Sequence, residues 1–114
     1  MKKLLIGALV ACLLGVGLWG AESTNAQERE LGASIFSSKC AICHGPRGDG
    51  RGPSAALLNI RPRDFTHPAF WQGDVERRIV EAVRSGKGMM PAFGLKSEEI
   101  NAIIVYMSQN FKKQ

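Results

Sequence analysis

Two segments of this chain carry residues whose types and spacing could do chemistry. The first, Cys40-Ala41-Ile42-Cys43-His44, has the pattern Cys-x-x-Cys-His, the attachment signature for c-type haem. Thiols three positions apart on a helical turn can add to the two vinyl groups along one edge of a porphyrin. The adjacent His44 then brings its imidazole beneath the iron as proximal ligand. The second, Gly86-Lys87-Gly88-Met89-Met90-Pro91-Ala92-Phe93, places two methionines in an irregular Gly-rich loop instead of on a helical stripe. Met90 is preferred to Met89 as the sixth ligand because Pro91 constrains its backbone directly. A His/Met pair saturates the iron and raises its reduction potential.

Other chemistries of the same residues fit less well. A zinc site on Cys40, Cys43 and His44 needs a fourth ligand, and His67 is the one remaining histidine. His67 could instead give bis-histidine ligation, but it precedes Pro68 in a loop and reads as a surface residue. A thioredoxin-like pair needs strands around it, and no alternating strand pattern of useful length occurs. A Cys40–Cys43 disulfide would close too short a loop to stabilise much. Met107 lies on a helical stripe and reads as core filler.

The elements that must position these groups are helical. From Glu28 to about Lys39, Leu31, Ile35 and Phe36 share a face, with Glu28 and Glu30 in the first turn. Asp74 is a reasonable N-cap for a helix whose stripe is Val75, Ile79, Ala82 and Val83, and Gly86 is placed to end it. A last helix starts at Ser97 and carries Ile100, Ile103, Ile104 and Met107 at i, i+3, i+4, i+7. Between them, Gly45–Phe70 holds four Gly and four Pro in 26 residues. So long an irregular stretch implies that something besides periodic packing organises it. The fold class expected is all-α, with a long irregular middle.

Composition narrows the function classes. With 114 residues there is room for one small domain, and 22% charged residues excludes a wholly disordered acidic or basic tail. Met1-Lys2-Lys3, the apolar run Leu4–Gly20 and small residues at Thr24 and Ala26 form the layout of a secretory signal peptide cut after Ala26. Residues 1–26 are therefore expected to be removed, leaving 27–114 as the working domain. An uncleaved leader would anchor the domain at the periplasmic face of the inner membrane. Removing Cys12 leaves Cys40 and Cys43, and removing Lys2, Lys3 and Glu22 leaves a net charge of +4. No nucleotide loop, Ser-His-Asp set or paired-carboxylate motif is present. The mixed charge offers no dedicated basic stripe for nucleic acid.

With these motifs in place, the chain resembles the small class I c-type cytochromes of bacteria from about Gly32 to Phe111. Gly32 and Phe36 fit that family's first helix, and Ile103-Ile104-Val105-Tyr106-Met107 its last. Met90-Pro91-Ala92-Phe93 is similar to its axial-Met segment. Gly48-Asp49-Gly50-Arg51-Gly52-Pro53 and Pro62-Arg63-Asp64-Phe65 are similar to a loop of a bacterial subgroup. The resemblance implies a cytochrome c fold of about three to five helices around one haem c held through Cys40 and Cys43. It also implies that the Pro53 carbonyl holds the Nδ1 proton of His44, and that Trp71, Arg61 or Arg63 bonds a haem propionate. The function then expected is a periplasmic, monomeric carrier of single electrons, not an enzyme. Donor and acceptor would be redox proteins, docking through acidic surfaces onto Lys39, Arg47, Arg51, Arg84 and Lys87. The alternatives are an electron-transfer subunit of a larger oxidoreductase, or a gas-binding haem protein if Met90 is labile.

Overall fold

The computed structural model describes residues 19–114. Helix α1 spans Trp19–Ile35 and continues without a break through one wider, π-wound turn at Phe36–Cys40. Helix α2, Ala41–His44, follows directly and ends at Gly45. Helices α3, Val75–Ser85, and α4, Ser97–Phe111, complete the long elements. Two single 3₁₀ turns, Ala55–Leu57 and Pro68–Trp71, interrupt the irregular middle. Among the described residues no strand forms, and no helix is long and apolar enough to cross a membrane. The leader expected at 1–26 lies outside the described residues up to position 18; from Trp19 on it is helical.

Local chemistry accounts for the helix boundaries. The Asp74 carboxylate accepts the Arg77 backbone N–H at 3.2 Å, capping α3, and Gly86 ends that helix at φ 72°. Helix α4 begins where the Glu99 carboxylate turns back to accept the Lys96 N–H at 2.7 Å.

The core sits where α1 and α4 cross, closed on one side by α3. Ile35 and Phe36 come from the α1 end, Ile79 and Val83 from α3, and Ile100, Ala102, Ile103, Met107 and Phe111 from α4. Phe65 is the buried contribution of the irregular middle. Met107 fills core as the stripe implied. Leu31 does not: it remains 41% exposed, because the face of α1 laid against α4 is centred on Gly32. Phe36 anchors the aromatic part, 5.4 Å from Tyr106, 5.1 Å from Phe111 and 6.3 Å from Phe65 by ring centroids.

Backbone hydrogen bonds order the middle segment. The carbonyls that end the motif helix accept from the returning chain: Ile42 from Ser54, Cys43 from Gly52 and His44 from Gly50, all between 2.8 and 3.0 Å. Free carbonyls are the unsatisfied groups of any helix C-terminus, so this loop supplies the partners that α2 lacks. Further on, the Phe65 N–H donates to Gly48 at 2.7 Å and folds the loop back on itself.

Candidate haem site

The Cys-x-x-Cys-His motif lies where the π-wound turn becomes α2, so both thiols sit within one helical turn of each other. Cys40 and Cys43 are free thiols, each half-buried, and Cys40 packs against the core. Burial pushes the Cys40 thiol up to about 11, against the pull of neighbouring Lys39 and aided by Cys43. Among the described residues no group of three His, Cys, Asp or Glu could hold a metal ion. The zinc alternative therefore lacks its ligand set.

His44 is held on two sides. Its Nδ1 lies 3.0 Å from the Arg63 carbonyl oxygen. A carbonyl can only accept, so Nδ1 carries the proton and the Nε2 lone pair of the neutral ring is left for other use. Burial lowers the imidazole below the ordinary histidine value, opposed by the Arg63 carbonyl, and so favours that neutral form. On its face, the ring stacks against Phe65, centroids 4.4 Å apart and planes 20° from parallel.

One expected site contact is corrected. The Pro53 carbonyl does not hold the Nδ1 proton of His44; Arg63 does. The reason is the loop path: Gly52 and Ser54, the neighbours of Pro53, are spent on the Cys43 and Ile42 carbonyls, and the chain reaches the imidazole only on its return. The Trp71 indole N–H donates to the Phe65 carbonyl at 2.7 Å. His67 is the exposed loop residue that the sequence suggested, its Nδ1 accepting the Ala69 N–H at 3.2 Å to start the Pro68–Trp71 turn.

Met90 is half-buried and packs against the core that also receives Cys40. A tight turn presents it. Lys87 N–H donates to the Met90 carbonyl at 3.0 Å and Met90 N–H to the Lys87 carbonyl at 2.9 Å, enclosing Gly88 and Met89. Such two-residue turns need a positive φ at the first position, which Gly88 provides at 57°. Met89 falls at the tip and is 53% exposed. The turn is docked by the Phe93 N–H, which donates to the Val83 carbonyl of α3 at 2.7 Å.

The arrangement fits a flat, largely apolar group. Large apolar side chains stay exposed at Ile42 on α2, Leu57 on the turn packed against α2, Ile60 beyond it and Met89 on the methionine turn. Ile42 and Met89 lie within the two segments that carry the thiols, the imidazole and the methionines, and covering them would remove apolar surface from water. Sequence reasoning missed the Arg63 carbonyl, Phe65 and Gly88. The Asp64-x-Thr66 pair, whose carboxylate accepts the Thr66 N–H at 2.8 Å, was the available sign of a turn that aims Arg63 and Phe65.

Known proteins are similar over the same region. A family model described as cytochrome c oxidase, cbb3-type, subunit III matches residues 27–107. Cytochrome c6 of Microcystis aeruginosa is 37% identical over 84 residues, 72% of this chain and 96% of its own length. Cytochrome c6 of Bryopsis maxima is 32% identical over 87 residues, 74% of this chain and 93% of its own length. The cbb3-type cytochrome c oxidase subunit FixP of Azorhizobium caulinodans is 31% identical over 93 residues, 79% of this chain but only 30% of its own length. The helices, the haem-attachment motif and relatives matched nearly end to end agree: this chain belongs to the small class I c-type cytochromes, with one haem c bound covalently through Cys40 and Cys43.

Proposed function

We propose that the chain is a periplasmic carrier of single electrons in which His44 and Met90 are the axial ligands. Haem c supplies a reversible one-electron couple between ferrous and ferric iron. The observation that carries the reading is the fixed tautomer of His44: with Nδ1 committed to the Arg63 carbonyl, Nε2 is the ligating atom. Met90 suits the opposite position because its turn is closed by two backbone bonds and backed by Phe93. Two ligands held by the folded chain leave no coordination position for a substrate, so the protein's task is to keep the site rigid and shielded.

Export by the leader supports the location. The family match begins at Gln27, the residue after the expected cut, and residues 24–27 are exposed. N-terminal sequencing of the mature protein tests this: a first residue other than Gln27 rejects the cut. Donor and acceptor are redox proteins, and the exposed Arg47, Arg51, Arg61 and Arg63 favour acidic partners.

Optical spectroscopy of the ferric wild type, Met90→Ala and Met89→Ala tests the ligand set. The methionine–iron charge-transfer band is expected in wild type and Met89→Ala and absent from Met90→Ala. A band that survives in Met90→Ala rejects the assignment. The second reading, an electron-transfer subunit, draws on the family description and the FixP relative. Purification of the chain as part of a stable oxidoreductase complex would favour it.

A further inference from the structure

We propose that Phe65 is a positioning residue for the His44 imidazole: it sets the plane in which the ring meets the iron. This rests on His44 being an axial ligand. A hydrogen bond at Nδ1 fixes one atom of the ring but still permits rotation about the line from that nitrogen to its acceptor. Fixing the plane takes a second contact, on the face, and Phe65 supplies it at 4.4 Å with the planes 20° from parallel.

Phe65 is built to be immovable. It is buried, 8% exposed, and its ring is flanked by Phe36 at 6.3 Å, Phe70 at 4.8 Å and Phe111 at 6.4 Å. Its peptide is tied at both ends: the N–H donates to the Gly48 carbonyl and the carbonyl accepts the Trp71 indole N–H, each at 2.7 Å. The turn that carries Trp71 is in turn held to α3. One Arg78 Nη2 donates to the carbonyls of Phe70 and Gln72, both at 2.7 Å, and the guanidinium lies 5.5 Å from the Phe70 ring centre. A chain of contacts therefore runs from α3 through Arg78, Trp71 and Phe65 to the face of His44. Two residues before Phe65, Arg63 holds the edge of the same ring, so one short segment governs both constraints.

The plane of an axial imidazole orders the unpaired-electron density over the ferric porphyrin, and the four haem-methyl proton resonances report it. Phe65→Leu keeps an apolar side chain of similar bulk but removes the flat face; Phe65→Tyr restores the face. Phe65→Leu holoprotein is expected to change the order or spread of the methyl resonances, with Phe65→Tyr returning the wild-type pattern. A Phe65→Leu spectrum with the wild-type pattern, whatever its thermal midpoint, overturns the proposal, because a merely structural role lowers the midpoint alone. Trp71→Phe, which deletes one hydrogen bond, carries the same test if Phe65→Leu does not accumulate: a moved methyl pattern supports the proposal and an unmoved one overturns it. Hyperfine-shifted His44 ring protons in the wild type separate the two readings. Their absence overturns the ligand assignment and the proposal together; their presence with an unmoved variant pattern overturns the proposal alone.

Discussion

Gly32→Ala inverts an ordinary expectation. In an exposed helix interior, replacing Gly by Ala stabilises by about 0.5–1 kcal/mol, because Gly loses more backbone freedom on folding. At position 32 the new Cβ would stand 2.6 Å from the Ala102 carbonyl carbon and 2.9 Å from the Tyr106 Cβ, and closer still to the Ala102 oxygen. None of these atoms can rotate away, since all belong to the α4 backbone or sit at its first side-chain carbon. Carbon atoms rest at about 3.5–4.0 Å, so α1 and α4 must part by roughly 1 Å, a gap that forfeits a quarter to a half of each contact across it. The contacts at risk include Phe36 against Tyr106 at 5.4 Å and against Phe111 at 5.1 Å. Overpacking of this kind costs about 1–3 kcal/mol, and a clash against backbone belongs at the upper end. Net of the propensity gain, Gly32→Ala should lose about 2 kcal/mol, which in a domain of this size lowers the thermal midpoint by roughly 8–16 °C. Denaturant and thermal unfolding of the holoprotein, followed by far-ultraviolet circular dichroism, measure it. A variant as stable as wild type, or more so, refutes the close approach of α1 and α4.

Three further outcomes follow from other parts of the structure. Gly86→Ala should disturb Met90 ligation more than Gly88→Ala: at Gly86 (φ 72°) a Cβ would meet the Met90 carbonyl oxygen at 2.8 Å, whereas at Gly88 (φ 57°) nothing lies within 4 Å. Gly88→Ala then bears only the left-handed backbone cost of about 1–2 kcal/mol, and loss of the methionine–iron band in both variants equally would contradict this. Asp64 is held below its ordinary 3.8, chiefly by the Thr66 hydroxyl at 2.6 Å, so its contribution to stability is full above 3.8 and fades as pH falls through the lower folded value. Urea midpoints of wild type and Asp64→Asn should accordingly differ above pH 4 and converge below it; a gap that does not narrow with acid rejects the assignment. Finally, stopped-flow electron transfer to an acidic redox protein should slow as ionic strength rises, and a rate indifferent to salt removes charge steering.

What the sequence disclosed and what it concealed divide along physical lines. Helix α3 was legible because both its ends carry local signals: an Asp74 carboxylate that caps the start and a Gly86 whose backbone takes a positive φ at the end. The Met107 stripe was legible because Ile100, Ile103 and Met107 line one buried face of α4. Leu31 misled because the buried face of α1 is defined by a residue with no side chain, and a hydrophobic pattern cannot register Gly32 as its centre. The middle segment was opaque because backbone carbonyls organise it. No residue type encodes the partnership of Gly50, Gly52 and Ser54 with His44, Cys43 and Ile42, or that of the Arg63 carbonyl with the imidazole, where the family resemblance pointed to Pro53. The two cysteines themselves were readable, since covalent attachment demands a fixed spacing that no packing preference imitates.

The distribution of charge sharpens the partner argument beyond the net sum. Both ion pairs found among the described residues belong to Arg77, with Asp74 at 3.1 Å and Glu81 at 3.0 Å. Arg78 is spent on the carbonyls of Phe70 and Gln72, and Arg84 on the Ser97 hydroxyl at 2.7 Å. Of the α3 arginines only Arg77 meets carboxylates, whereas Arg78 and Arg84 bond neutral oxygens and keep their charge. Lys39, Arg47, Arg51 and Lys87, together with Arg61 and Arg63, are exposed and form no ion pair among the described residues. A cation paired with a carboxylate presents little field to a partner, whereas one bonded to neutral oxygens or to water keeps its own. A modest net charge is thus compatible with the steering proposed above, and the salt dependence of the transfer rate decides it.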